Sequence, residues 1–207
     1  MDKKEEMNVW TAVWLKPKEV ARYAIDFKPM RFAIILALIA GVLDVLNGAS
    51  QNSLGDMMSV PRIFMMAIVM GPILGLIAWW IGAGISTIVG TLLGGIGRFE
   101  ELKKAFAITL IPNIIGGMLW IPDLLILGES LYMEDNIVTG GKLVWLFFSG
   151  TIGFIIGIWG FVITIMAIAE AHQFSAWRGF WTVVIPGILI FIVVFILFLP
   201  FVFAIFY

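Results

Sequence analysis

Five separate stretches of this chain are apolar for long enough to cross a lipid bilayer, and that limits the fold more than any motif does. About 20 helical residues cross a hydrocarbon core of roughly 30 Å. The first run covers about 31–48, from Arg31 through RFAIILALIAGVLDVLNG. The second, Ile63 to Leu93, would rise about 46 Å as one straight helix. Gly71-Pro72 and the pair Gly82, Gly84 are where it is expected to break or kink, leaving 63–70 as an entry segment and 72–93 as the span. The remaining runs lie at about 104–127, 143–169 and 181–205. The expected fold is all-α: a polytopic membrane protein whose five-transmembrane-helix bundle (31–207) follows a 1–30 tail of amphipathic interfacial helices.

Composition agrees with this reading. Of 207 residues, 61% are apolar and 13% charged, against roughly 45–50% and about 25% in a soluble domain; mean hydropathy is +1.06. The net charge of −1 excludes a nucleic-acid binder that works by overall basicity. Zero cysteines exclude a disulfide framework, a thiolate zinc site and a cysteine nucleophile. The single histidine, His172, leaves little material for a transition-metal cluster, so no cofactor and no metal site are expected.

Basic residues set the orientation. Lys3, Lys4, Lys16, Lys18, Arg22, Lys28 and Arg31 precede the first span, Arg98, Lys103 and Lys104 follow the second, and Arg178 follows the fourth. Those 11 of the 13 basic residues fall on one side, with only Arg62 and Lys142 on the other. The N-terminus is therefore expected in the cytoplasm and the C-terminus, at Tyr207, outside. The first apolar run follows about 30 residues of mixed charge with no small-residue cleavage site behind it, so it is expected to act as an uncleaved signal-anchor.

In the tail, Trp10, Val13 and Trp14 recur at helical spacing, as do Val20, Tyr23, Ala24 and Phe27. Lys16-Pro17 separates the two groups, and Pro17 suits the first turn of a helix. Two short amphipathic helices follow from this, either lying in the lipid interface with the tryptophans at headgroup depth or docking on a protein. Trp177 and Trp181 are the matching anchors ahead of the fifth span. The loop 128–142, with Glu129, Glu134 and Asp135, reads as a solvated acidic loop, since its spacing fits no calcium loop.

Catalytic constellations are absent: there is no serine elbow, no His-Glu-x-x-His and no phosphate-cradling Gly-Lys-Ser/Thr loop. His172, near Glu170 and Ser175, cannot form a triad with residues two or three positions away and reads as an interfacial cap on the fourth span. The glycines offer more. Gly71 and Gly75, Gly90 and Gly94, and Gly153 and Gly157 are each four apart, with Gly150 and Gly160 extending the last ridge. Such faces let helices approach closely in lipid, either within the chain, which is the expected use, or between chains. Asp44 stands out as the carboxylate well inside a span. Asn47 shares its face, and Asn113, beside Pro112, lies in the third span. A charge there costs at least about 2.5–3.5 kcal/mol at mid-bilayer. Asp44 therefore either forms a proton or cation site with Asn47 and Asn113, or sits in the outer headgroups or neutral between helices.

Two stretches carry a family resemblance. GTLLGGIGRFEELKKAFAITLIP, 90–112, with Gly94, Gly95, Gly97, Phe99 and Pro112, resembles the signature region of the Yip family, the Ypt/Rab-interacting membrane proteins, in its bacterial branch. IIGIWGFVITIMAIAEAHQFSAWRGFWTVVIP, 155–186, with Trp159, Glu170, Phe174 and Ser175, is similar to that family's fourth span and its turn into the fifth. The segment 14–29 resembles the Pro-led helix before the first span of bacterial members. The resemblance implies a five-span bundle with a cytoplasmic N-terminus and no enzymatic activity. Eukaryotic relatives bind Rab GTPases. Here their Asp-Leu-x-Gly-Pro signature falls on Ile68-Val69-Met70-Gly71-Pro72 and their long N-terminal partner-binding region has no counterpart, so Rab binding is not expected. Bacterial members resemble accessory proteins, some of them associated with ABC-type exporters in assembly or envelope-stress defence.

The expected function is a non-catalytic integral membrane adaptor of the bacterial cytoplasmic membrane. Its expected partners are the lipid bilayer and a membrane protein, ABC exporter subunits above all, or a second copy of itself. The alternatives are a small secondary transporter or channel using Asp44, and a lipid-binding, membrane-shaping protein.

Overall fold

The computed structural model describes residues 7–134 and 138–206, with side chains as far as residue 197; Lys3, Lys4, Asp135 and Tyr207 lie outside the described residues. The described chain is helical with no strand, and five of its helical segments are long and apolar enough to cross a membrane. In the tail, α1 (Val9–Ala12) is opened by Asn8, whose side chain accepts the Trp10 N–H. Helix α2 (Pro17–Phe27) starts on Pro17, whose missing N–H is no loss in a first turn. Their apolar faces are spent on the chain itself. Val13, Val20, Ala21 and Ala24 are fully buried among residues of the membrane helices.

The first span, α3 (Met30–Gln51), pairs along its length with the second, α4 (Val60–Leu92). A short turn at Leu54–Asp56 joins them. The expected break at Gly71-Pro72 does not occur: α4 is one 33-residue helix with Pro72 inside it. Proline frees a single carbonyl one turn back, which neighbouring packing in a membrane helix can absorb. That packing is present. A Cβ on Gly41 would meet the Gly71 carbonyl and the Gly75 backbone, and one on Gly71 would lie 2.6 Å from the Val42 Cα. The two backbones touch through glycine, and the helix continues past Pro72.

The third span is the irregular one. It begins at Phe99, earlier than the apolar run suggested, and consists of α5 (Phe99–Ile108), α6 (Ile111–Gly116), a 3-10 turn at Gly117–Leu119 and α7 (Trp120–Ile126). The causes are local. Pro112 cannot donate to the Ile108 carbonyl, so the chain tightens through Thr109 and Leu110 before α6 starts. Gly116-Gly117 and Pro122 repeat the interruption one helical stretch later. The fourth span, α8 (Gly141–Ala171), and the fifth, α9 (Ala176–Phe206), are continuous.

This order brings the tail, the 93–98 loop and the α8–α9 turn together at one end of the bundle. At the other end, the 128–134 segment folds onto the α3–α4 turn. There Ser50 Oγ donates to the Leu131 carbonyl at 2.7 Å and the Asp56 carboxylate accepts the Glu134 N–H at 3.1 Å. Tyr132 is fully buried and stacks on Trp120. Glu134 is thus tied to the fold at its backbone rather than lying in a free solvated loop.

Candidate functional site

A cavity of about 580 Å³ lies between α3, the broken third span and α8. Asp44 and Asn47 enter it from α3, one turn apart, as helical spacing requires. Asn113, carried by α6 directly after the Pro112 interruption, donates its Nδ2–H to Asp44 Oδ1 at 2.8 Å. The structure therefore brings Asp44, Asn47 and Asn113 onto one cavity. Asp44 is not the only carboxylate there. Asp123 of α7 lines the same space and accepts hydrogen bonds from Trp145 Nε1 at 2.8 Å and Ser149 Oγ at 3.0 Å. Its signal in the sequence was an aspartate inside the third apolar run, beside Pro122. Both of its donors lie on α8, more than 20 residues away in the chain.

A further wall of the cavity is the α8 glycine ridge. A Cβ built on Gly150, Gly153 or Gly157 would meet nothing within 4 Å, and all three glycines line the cavity. The expectation that Gly153 and Gly157 pack helices within the chain is therefore corrected. With no side chain at these positions, the helix surface recedes and leaves room for a cavity. The wall from Ser149 to Thr164 extends about 22 Å along α8. Among the described residues, no Lys, Arg or His lines this space.

A second constellation closes the other end of the bundle, centred on His172. It is the C-cap of α8, as expected, but it is buried and not interfacial. The Gly97 N–H donates to Nδ1 at 3.2 Å, which leaves Nε2 to carry the proton and donate to the Ser86 carbonyl at 3.0 Å. The ring stacks on Phe174 and fills the space over Gly90 and Gly95, where any Cβ would collide with it. Gly90 thus seats an imidazole and is not half of a helix-packing pair with Gly94. Gly94 has φ +85°, the left-handed conformation that ends α4. Burial pushes the His172 pKa down, opposed by the Ser86 bond and the Glu101 charge.

The tail is fastened to the same end. Arg22 donates from Nε to Glu170 Oε1 at 3.0 Å and from Nη2 to the Glu170 carbonyl at 2.9 Å. Lys104 Nζ donates to the Ile25 carbonyl at 2.7 Å, satisfying the C-terminal turn of α2. Trp159 Nε1 donates to the Trp14 carbonyl at 3.0 Å. Phe99 packs edge-on against Trp80. Ser175 supplies a backbone carbonyl to Gly179 at the start of α9. Of the proposed interfacial anchors, Trp10 is 37% exposed and Trp177 65% exposed, while Trp181 packs on Trp177 and Phe180. Among the described residues, no group of three or more His, Asp or Glu side chains is placed to hold a metal ion.

Against known proteins, the family model described as the Yip1 domain matches residues 11–198. That stretch takes in the tail helix, all five spans and both constellations. No curated protein and no solved structure matches the chain.

Proposed function

The chain belongs to the Yip1 domain family, and on that premise we propose that it is a non-catalytic integral membrane adaptor that works by associating with a protein partner at the N-terminal end of its bundle. One observation carries the proposal: the tail is a built platform. Its apolar residues Val13, Val20 and Ala24 are used up inside the chain, and Arg22, Lys104 and Trp159 fix it in place. What α2 turns outward is charged, including Lys18, Glu19 and Asp26. A helix that shapes membranes needs its apolar stripe for lipid, and here mainly Trp10, Leu15 and Phe27 remain for that purpose. The same end gathers the described basic residues of the tail, the 93–104 segment and Arg178, so the positive-inside rule supports placing it in the cytoplasm.

The finer form of the proposal, assembly with ABC-type exporter subunits in the bacterial cytoplasmic membrane, rests on the resemblance of the sequence. Purification from native membranes in mild detergent, with bound proteins identified by mass spectrometry, tests both levels. A stoichiometric partner that is lost when Lys18, Glu19 and Asp26 are reversed in charge is the expected result. Recovery of the chain alone contradicts it. A second reading, a small secondary transporter or channel using Asp44, is favoured by the polar cavity. It predicts solute flux in liposomes that Asp44→Asn abolishes, and the absence of flux removes it.

A further inference from the structure

We propose that the cavity between α3, the third span and α8 binds an organic ammonium group, attracted by the carboxylates of Asp44 and Asp123 that both line it. The inference rests on the cavity alone; it holds whether or not the protein is an adaptor, and whether or not the ligand is moved.

Charge comes first. Two carboxylates line one space and no basic side chain among the described residues lines it with them. Intramembrane carboxylates are usually paired, and a cationic ligand would supply the partner that the lining side chains do not. Asp44 is bonded only through Oδ1, to Asn113. Asp123 is oriented by Trp145 and Ser149 but retains acceptor capacity on both oxygens.

Backbone irregularity points to the same place. Interrupted helices are tolerated in membranes where the broken backbone lines a cavity, and such breaks commonly mark binding sites. The interruptions of the third span put Thr109, Gly116 and Gly117 on this cavity wall.

Size and donor set then select the ligand. A cavity of about 580 Å³ falls within the roughly 300–1,000 Å³ of organic ligand sites and is far larger than a bare ion needs. No metal-type cluster exists among the described residues. An ammonium offers several N–H donors, and the walls offer carboxylate, amide and hydroxyl oxygens from Asp44, Asp123, Asn47 and Thr109. Trp120, held by stacking on Tyr132, also lines the space and adds an aromatic surface suited to a cation.

The same amine could be a free solute or the headgroup of a lipid. Gly150 borders both this cavity and an apolar groove along α8 formed by Leu143, Phe147 and Phe154. An acyl chain could lie there with its headgroup amine inside.

The test uses the full chain in detergent, read by native mass spectrometry with phosphatidylethanolamine, phosphatidylglycerol or free ethanolamine. We expect an amine-bearing ligand to bind and to be weakened about tenfold or more by Asp44→Asn and by Asp123→Asn, with phosphatidylglycerol unaffected by either. Binding of phosphatidylethanolamine alone identifies a lipid source; binding of ethanolamine, or its competition with the lipid, identifies a soluble one. Gly153→Leu keeps the test decisive if an aspartate variant fails to fold, because a side chain there fills only the cavity. It should melt at or above the parent's temperature and lose the ligand. Failure of both amines to bind, equal retention of the two lipids, or undiminished binding in folded Asp44→Asn or Gly153→Leu overturns the proposal.

Discussion

Where α3 meets α4, glycines four residues apart bring two backbones into contact; on α8, glycines at the same spacing leave open space. Gly71 and Gly75 meet Gly41, and none of the three can carry a Cβ without moving backbone. Gly150, Gly153 and Gly157 could each carry one and touch nothing. The spacing of Gly153 and Gly157 is identical to that of Gly71 and Gly75, so spacing says only that a helix surface is low. Whether another helix or a cavity fills the space depends on what stands opposite. Gly41 stands opposite the first pair. A span broken by Pro112 and Pro122 stands opposite the second, and it cannot approach α8 evenly along its length.

Four substitutions test this difference. Gly75→Val should be the most damaging, since its side chain must displace the α3 backbone. A loss of about 3 kcal/mol is expected for overpacking of this kind, read as a lower melting temperature in detergent or nanodiscs; an unchanged melt would separate α3 from α4. His172→Ala comes next, at about 2–3 kcal/mol, because the buried Gly97 N–H and Ser86 carbonyl lose their partner.

The histidine also makes a prediction about pH. Its folded-state pKa lies below the ordinary value of 6.5, so near and below that pH the unfolded chain binds the proton more readily. The stability it contributes is complete above about pH 6.5 and declines as pH falls toward the folded-state pKa. His172→Ala should remove that part of the acid sensitivity, and a melting curve against pH with the parent's slope would exclude it.

Gly153→Ala should change stability in the opposite direction from Gly75→Val. Removing a helical glycine where the new methyl meets nothing is expected to stabilise by about 0.5–1 kcal/mol. A destabilised variant would mean that α8 packs on something at this point. The smallest effect is expected from Tyr132→Phe. The Tyr132 hydroxyl is buried without a hydrogen-bond partner, and burial pushes its pKa up to about 12. Deleting it should be neutral or stabilising by less than about 1 kcal/mol. A clear loss of stability would show that the hydroxyl is bonded after all.

Much of the fold was legible because the bilayer imposes a length on every span, and five apolar runs of that length are hard to misread. The errors came where proline and glycine mean different things in different surroundings. Pro72 continues a helix because glycine contacts hold α4 against α3, whereas Pro112 and Pro122 interrupt one that is less evenly supported. Neither support is a local property of the sequence. The site was half legible. Asp44, Asn47 and Asn113 stood out as polar residues in apolar runs, and they share a cavity. Asp123 was equally visible but lay near the end of its run, and the donors that make it part of the site come from α8. His172 was legible as the cap of the fourth span, but its burial was missed for a similar reason: its partners, Ser86 and Gly97, belong to another span and another loop.

The central claim is that the α8 glycine ridge faces a polar cavity and not a packed or lipid-filled surface. The chain contains no cysteine, so single-cysteine variants test it cleanly. Gly153→Cys would place a thiol in the cavity, and Ile155→Cys would place one on an exposed apolar face of the same helix. In membranes treated with a small charged thiol reagent, the cysteine at 153 should react and the one at 155 should not. Equal resistance at both positions would contradict the cavity.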